Sequence, residues 1–202
     1  MELTESRASL GRPRAFGTDK ALDRALQVFW EKGYEGTSLS DLTKAMGINR
    51  PSPCAAFGNK EALFRKALDR YVEETIAFVP GAINEPTACR VAERLLRSAA
   101  EMVTNPRDPP GCLTVRSALA SGEAADPIRL ELALRRSEGE ALIRKRLDKA
   151  KREGDLPPDA NPADLARYLA TVYQGMSVQA AGGATHEQLR TVAKIALRAW
   201  PK

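Results

Sequence analysis

Residues 47–64 read GINRPSPCAAFGNKEALF, and how this stretch is read decides the fold. Gly47 suits the left-handed turn that ends a helix. Asn49 can cap a short segment that ends at Gly58, and Asn59 caps a further helix running through Leu63, Ala67 and Tyr71 towards Pro80. Upstream, Ser38 opens SLSD, a Ser-x-x-Asp start that satisfies the orphan amides of a first turn. Leu39, Leu42 and Met46 follow on one face. Two short helices joined by AMGIN have the geometry of a helix-turn-helix, with Met46 and Ile48 packed inward and the second helix left protruding.

Outward from this motif the spacing stays helical. β-Branched residues are sparse and alternation is not sustained, so the chain reads as all-α. Thr18 and Asp19 cap a first helix with Leu22, Ala25, Leu26 and Phe29 on its buried face, and Gly33 ends it. Thr87 begins a helix with Val91, Leu95, Ala99 and Met102, followed by the proline-rich loop TNPRDPPG and a shorter helix, CLTVRSALASG. Asp126-Pro127 and Asn161-Pro162 are two cap-and-proline starts, and the helix from Asp126 ends in KAKREG, where cations oppose the negative end of its dipole. Thr185 and Gln188 form a capping box for the last helix.

The 202-residue chain is 43% apolar, enough to fill a core. No run approaches the length of a membrane helix, and MELTESRASLGRPR contains no apolar signal segment, so the expected location is cytoplasmic, with no membrane partner. Cys54, Cys89 and Cys112 are far apart and form no C-x-x-C pair, which points to reduced thiols rather than a disulfide framework or a zinc site. The net charge of +5 suits a polyanionic partner. However, the densest basic run, residues 129–152, with nine basic and four acidic side chains, lies outside the helix-turn-helix and reads equally as a solvated helix face. The single histidine, His186, cannot supply a Ser/His/Asp site or a multi-histidine metal site, and no Walker or dinucleotide-type glycine pattern occurs. No enzyme, cofactor or metal is expected.

The segment GTSLSDLTKAMGINRPS, continued by AAFGNKEALFRKAL, resembles the N-terminal domain of the TetR/AcrR family of transcriptional repressors. The match covers roughly residues 12 to 72 and includes the aromatic-Gly-x-Lys-Glu-x-Leu junction at Phe57–Leu63. Downstream, GCLTVRSALA resembles a helix of one branch of the same family. The resemblance implies a basic arm over residues 1–18, a helix-turn-helix DNA-binding domain over 19–72 and a helical ligand-binding and dimerisation domain over 73–202. It further implies a homodimer on a palindromic site in double-stranded DNA, acting as a repressor that answers to an unidentified small-molecule effector.

Several residues have chemistry suited to that role. Arg50, Pro51 and Ser52 open the segment that would enter the major groove, where Arg50 can donate bidentately to guanine or reach a phosphate. Thr37, Ser38 and Ser52 can donate to phosphate oxygens or serve only as caps. Lys60 sits in the first turn of its helix against the positive end of the dipole, a cost that a phosphate would offset, and the family places a backbone-contacting lysine there. Arg14, in GRPR, belongs either to a minor-groove arm or to a solubilising tail. Pro53 and Cys54 stand where the family commonly has a larger apolar residue and a tyrosine. Pro53 therefore falls either at the fourth position of a helix capped by Asn49 or at the first position of one capped by Ser52, and both counts predict a short, strained segment of weak affinity.

For the second unit, Met102, Cys112, Leu113, Arg116, Leu119, Leu132, Tyr168 and Tyr173 are candidates to line a ligand pocket, or are ordinary core. Cys112, a thiol at a helix start, is either a small core residue or a sensor of oxidants or electrophiles, which would make the chain a thiol-based repressor. The last two helices carry a double apolar arc, so Leu169, Val172, Met176, Val192, Ile195 and Ala199 are expected at a four-helix dimer face. A second overall reading is a helical dimeric ligand-binding protein whose helix-turn-helix no longer binds DNA.

Overall fold

The computed structural model describes residues 13–47, 57–119 and 125–201, the side chains of 13–18 and 119 excepted. Among the described residues are nine α-helices and no strand, as the periodicity predicts. They are α1 (Pro13–Gly36), α2 (Leu39–Met46), α3 (Lys60–Glu74), α4 (Phe78–Ile83), α5 (Ala88–Val103), α6 (Leu113–Leu119), α7 (Asp126–Arg152), α8 (Pro162–Ala181) and α9 (His186–Arg198). The segment holding Ile48, Asn49, Arg50, Pro51, Ser52, Pro53 and Cys54 lies outside the described residues, as does the side chain of Arg14.

Local chemistry explains most helix starts. The side chains of Ser38, Asn59, Thr87, Asn161 and Thr185 each accept a first-turn amide, and Ser38–Asp41 and Thr185–Gln188 close full capping boxes. Four boundaries differ from expectation. Helix α1 begins at Pro13 rather than at Thr18, because proline at the first helical position forfeits no bond, so the backbone of 13–18 is helical and not an extended arm. Its backbone leaves helical geometry at Gly33 (φ 73°) as expected but resumes to Gly36. The helix from Lys60 stops at Glu74, and Pro80, expected as a terminator, lies in the first turn of the separate helix α4, where its missing amide costs nothing. Helix α7 is capped by Ala125, and Asp126 instead takes Arg129 at 2.8 Å.

Two buried clusters form the interior. The first joins α1, α2 and α3 through Phe29, Trp30, Leu42, Phe64, Leu68 and Tyr71. It also takes in Cys112, Leu113 and Val115 beside and within α6, and Ile128 and Leu132 of α7. The second is mainly aliphatic and joins α5, α8, α9 and the C-terminal half of α7 through residues such as Val91, Leu95, Leu96, Leu147, Leu169 and Met176. The division between the cores is therefore not a cut along the chain near residue 72, because α6 and the start of α7 return to the first core. No described helix is long and apolar enough to cross a membrane.

Candidate functional site

The described half of the helix-turn-helix is rigidly built. Ser38 Oγ accepts the Asp41 amide at 3.0 Å and Asp41 Oδ2 accepts the Ser38 amide at 2.9 Å. Lys32 Nζ reaches Asp41 Oδ1 at 2.8 Å, and this bond, followed by those from Ser38, holds the Asp41 carboxyl well below the usual carboxylate range. Helix α2 ends at Gly47 in the left-handed conformation (φ 68°), with the Gly47 amide on the Thr43 carbonyl at 3.1 Å. Behind it, Phe29 and Tyr34 meet Phe64 edge-on at 5.0 and 5.1 Å, and Trp30 meets Tyr71 at 4.7 Å.

The predicted DNA residues that are described fall into two groups. Ser38 is exposed at the start of α2, and Lys60 is half-buried at the start of α3 with its ammonium 4.5 Å from the Tyr34 ring centre. Burial lowers the Lys60 pKa, opposed by Glu35. Asn59 caps the same helix start through the Ala62 amide at 2.8 Å. Thr37 differs from expectation: it is buried, and its hydroxyl donates to the Gly33 carbonyl at 2.7 Å, closing the kink in α1 rather than facing outward.

Where the two cores meet, three hydroxyls converge on one sulfur. Tyr71 and Tyr173 donate to Cys112 Sγ at 3.1 and 3.0 Å, and Thr114 Oγ1 lies 3.1 Å from it. Burial first, and then Cys112, push the pKa of both tyrosines well up, so they remain proton donors. Just before this knot, Gly111 has φ 92°, and a Cβ there would lie 2.8 Å from the Ser177 carbonyl of α8. Its own carbonyl accepts Trp30 Nε1 of α1 at 3.2 Å.

Beside the knot is a cavity of about 470 Å³, within the range of small-molecule sites. Its wall comes from the α3–α4 junction (Val72, Ile76, Phe78, Val79), α5 (Leu95, Leu96, Ala99), the middle of α7 (residues 135–143) and α8 (Leu169, Ala170, Tyr173, Gln174), with Thr114 of α6. Of the eight residues predicted to line a pocket, Tyr173 borders this cavity and Met102 borders a second, more open hollow beside α5. Cys112 touches two wall residues, Tyr173 and Thr114. Leu113 and Leu132 are packed in the first core, and Met102 lies against both cores, 3.9 Å from the Tyr71 hydroxyl. Tyr168 donates to the Ala196 carbonyl at 3.0 Å, Arg116 bonds to the Glu31 carbonyl, and the Leu119 side chain is not among those described.

Sequence reasoning missed most of the wall, although one signal was present. Between Leu132 and Ile143 no residue of α7 is buried, and RRSEGE at 135–140 interrupts the apolar repeat where the helix borders the cavity. The expected dimer face also divides. Val192 and Ile195 on α9 and Ala199 just after it are exposed, as are Gly175 and Val178 on α8. By contrast Leu169 and Met176 are buried within the subunit, and Val172 is half-buried against the second core, because the apolar stripe of α8 is used for packing on α5 and α9.

Comparison with known proteins agrees with this architecture. Residues 21–67 match the model of bacterial regulatory proteins of the tetR family, and residues 90–196 match the tetracyclin repressor-like C-terminal domain. The HTH-type transcriptional repressor ComR of Escherichia coli K12 is 34% identical over 96% of this chain and 93% of its own length. BdcR, a repressor from the same organism, is 27% identical over 92% and 90%. Among solved structures, a cysteine-substituted form of the regulator CifR in complex with 26-bp operator DNA superimposes with a TM-score of 0.89 at 42% identity, covering 95% of this chain and all of that one. With a DNA-reading half, a helical second half and relatives aligned across nearly the whole length, the chain belongs to the TetR family of bacterial transcriptional regulators.

Proposed function

We propose that the protein is a repressor that works in the cytoplasm as a homodimer on a two-fold symmetric operator and is released by a small molecule held in the cavity. The observation that carries this reading is the placement of α6. Thr114 lines the cavity, and two residues on, Arg116 bonds to the Glu31 carbonyl of α1, the helix against which α2 packs. A ligand that fits only one position of α6 therefore biases the spacing of the two DNA-reading halves. In this reading Arg50, Pro51 and Ser52 enter the major groove, and Ser38 and Lys60 hold phosphates. The relatives named as repressors, and the CifR complex with its operator, support the same role.

The exposed stripe of Val192 and Ile195 on α9 and Ala199 just after it, continued by Gly175 and Val178 on α8, supports the homodimer, since Ile195 is 57% exposed in a single subunit. Binding-site selection with the purified protein should return a palindromic sequence. The double substitution Val192→Glu and Ile195→Glu should give monomers by light scattering and abolish tight binding to that sequence, because both charges would be buried unpaired. Selection without any enriched sequence would leave the rival reading, a helical dimer that does not bind DNA.

The three hydroxyls around Cys112 favour a second reading of the effector. Two tyrosine hydroxyls donate to its sulfur and the Thr114 hydroxyl lies beside it, and hydrogen peroxide would oxidise the thiol to a sulfenic acid with release of water. If so, Cys112→Ser should bind the operator as tightly as the parent and no longer be released by hydrogen peroxide. Equal release of both proteins would return Cys112 to the core.

A further inference from the structure

The cavity wall is mostly apolar, its charged side chains being Glu73 of α3 and Arg135, Arg136, Glu138 and Glu140 of α7, and the two successive arginines differ in their surroundings. Arg135 is neutralised by Asp69 and Glu131. Arg136 forms no ion pair with any described carboxylate, and its one hydrogen bond runs from Nη1 to the Thr114 carbonyl at 3.1 Å. The acids that share the wall do not reach it. Glu140 is held by Arg167 at 2.8 Å, and Glu73 and Glu138 are exposed. A half-buried guanidinium with most of its donors unused thus faces an apolar space of about 470 Å³. Burial lowers the Arg136 pKa, opposed by Cys112, and among the described residues no carboxylate pairs with the guanidinium.

We infer that the effector is an apolar carboxylic acid whose carboxylate is gripped by Arg136 and whose hydrocarbon body fills the cavity. A carboxylate matches the guanidinium fork with two parallel bonds and restores the charge balance that burial removes. A neutral molecule of the same shape would offer the guanidinium no charge-matched acceptor, and an ammonium would be repelled by it. The hydrocarbon body is required by Leu95, Leu96, Ala99 and Ile143, which supply no polar group. The bonded Thr114 carbonyl ties the gripped group to α6, so the acid would act at the element on which the proposed release depends. The inference rests on the reading of the cavity as the effector site.

The test is isothermal titration of the full-length protein with decanoate, 1-decanol and decylamine, which share one hydrocarbon chain and differ in charge. Decanoate should bind at least about tenfold more tightly than decanol, the gain expected of a charge-assisted pair. Decylamine should bind more weakly than decanol. Arg136→Gln should lower decanoate affinity to about that of decanol while its thermal melt and circular dichroism match the parent's, and Arg136→Lys should keep part of the preference. Ala99→Leu, which reduces the cavity, should weaken both ligands. Decanol binding as tightly as decanoate, decylamine binding most tightly, or an undiminished preference in Arg136→Gln would overturn the assignment while leaving the cavity as a ligand site. Binding of none of the three, or binding unaffected by Ala99→Leu, would overturn the assignment together with the role of the cavity.

Discussion

The core beneath the DNA-reading helices and the core of the second half use their interior differently. The first is closed by aromatic rings that meet edge to face, Phe29 on Phe64 at 5.0 Å and Trp30 on Tyr71 at 4.7 Å. The second is built mainly of Ala, Val and Leu, with Trp200 its one buried aromatic residue among those described, and leaves a cavity of about 470 Å³. Dense packing fixes one arrangement, whereas an open core can hold more than one. The first half is therefore suited to presenting a rigid surface, and the second to changing shape when its space is filled. The two meet at α6, whose Thr114 belongs to the cavity wall and whose Leu113 and Val115 belong to the aromatic core.

A matched pair of substitutions sharpens this contrast most strongly. Ala67 and Ala99 are both buried on helices, but Ala67 lies in the aromatic core and Ala99 on the cavity wall. Ala67→Leu should destabilise the protein by about 1–3 kcal/mol through overpacking. Ala99→Leu should change stability by less than about 1 kcal/mol, because its added carbons enter empty space. Thermal melts of the two variants check this, and equal losses would mean that the cavity wall is as tightly packed as the first core. A smaller effect is expected at the surface of the first half. Ser38→Ala removes the cap of α2 and should cost about 1 kcal/mol in denaturant unfolding. No loss would show that Asp41 and Lys32 hold that helix start without the Ser38 hydroxyl.

What the sequence revealed follows the range of the interactions involved. Caps are local, so Ser38, Asn59, Thr87, Asn161 and the Thr185–Gln188 box were readable one residue at a time, as was the left-handed Gly47. Helical periodicity showed which residues of α8 are apolar but not which neighbour each would meet. Leu169 and Met176 were consequently assigned to a dimer face when they pack inside the subunit. The cavity was the least legible feature because it is bounded by five stretches far apart in sequence, and a void leaves no pattern in any one of them. The convergence of Tyr71, Thr114 and Tyr173 on Cys112 is similar, since Tyr71 and Tyr173 lie 41 and 61 residues from the cysteine. Only RRSEGE, where α7 loses its buried repeat, marked the cavity locally.

The helix-turn-helix is a DNA-binding unit, and Lys60 stands beside it at the start of α3. The ammonium stands half-buried over Tyr34 at the positive end of α3, and burial already lowers its pKa, so a bound phosphate would relieve an unfavourable charge. Affinity of the parent and of Lys60→Ala for the selected operator, measured across a series of salt concentrations, tests this directly. The account predicts a steep fall with salt for the parent, a weaker affinity for the variant on every DNA sequence, and a salt slope smaller by about one unit. A parent whose binding ignores salt, or a variant with an unchanged slope, would contradict it.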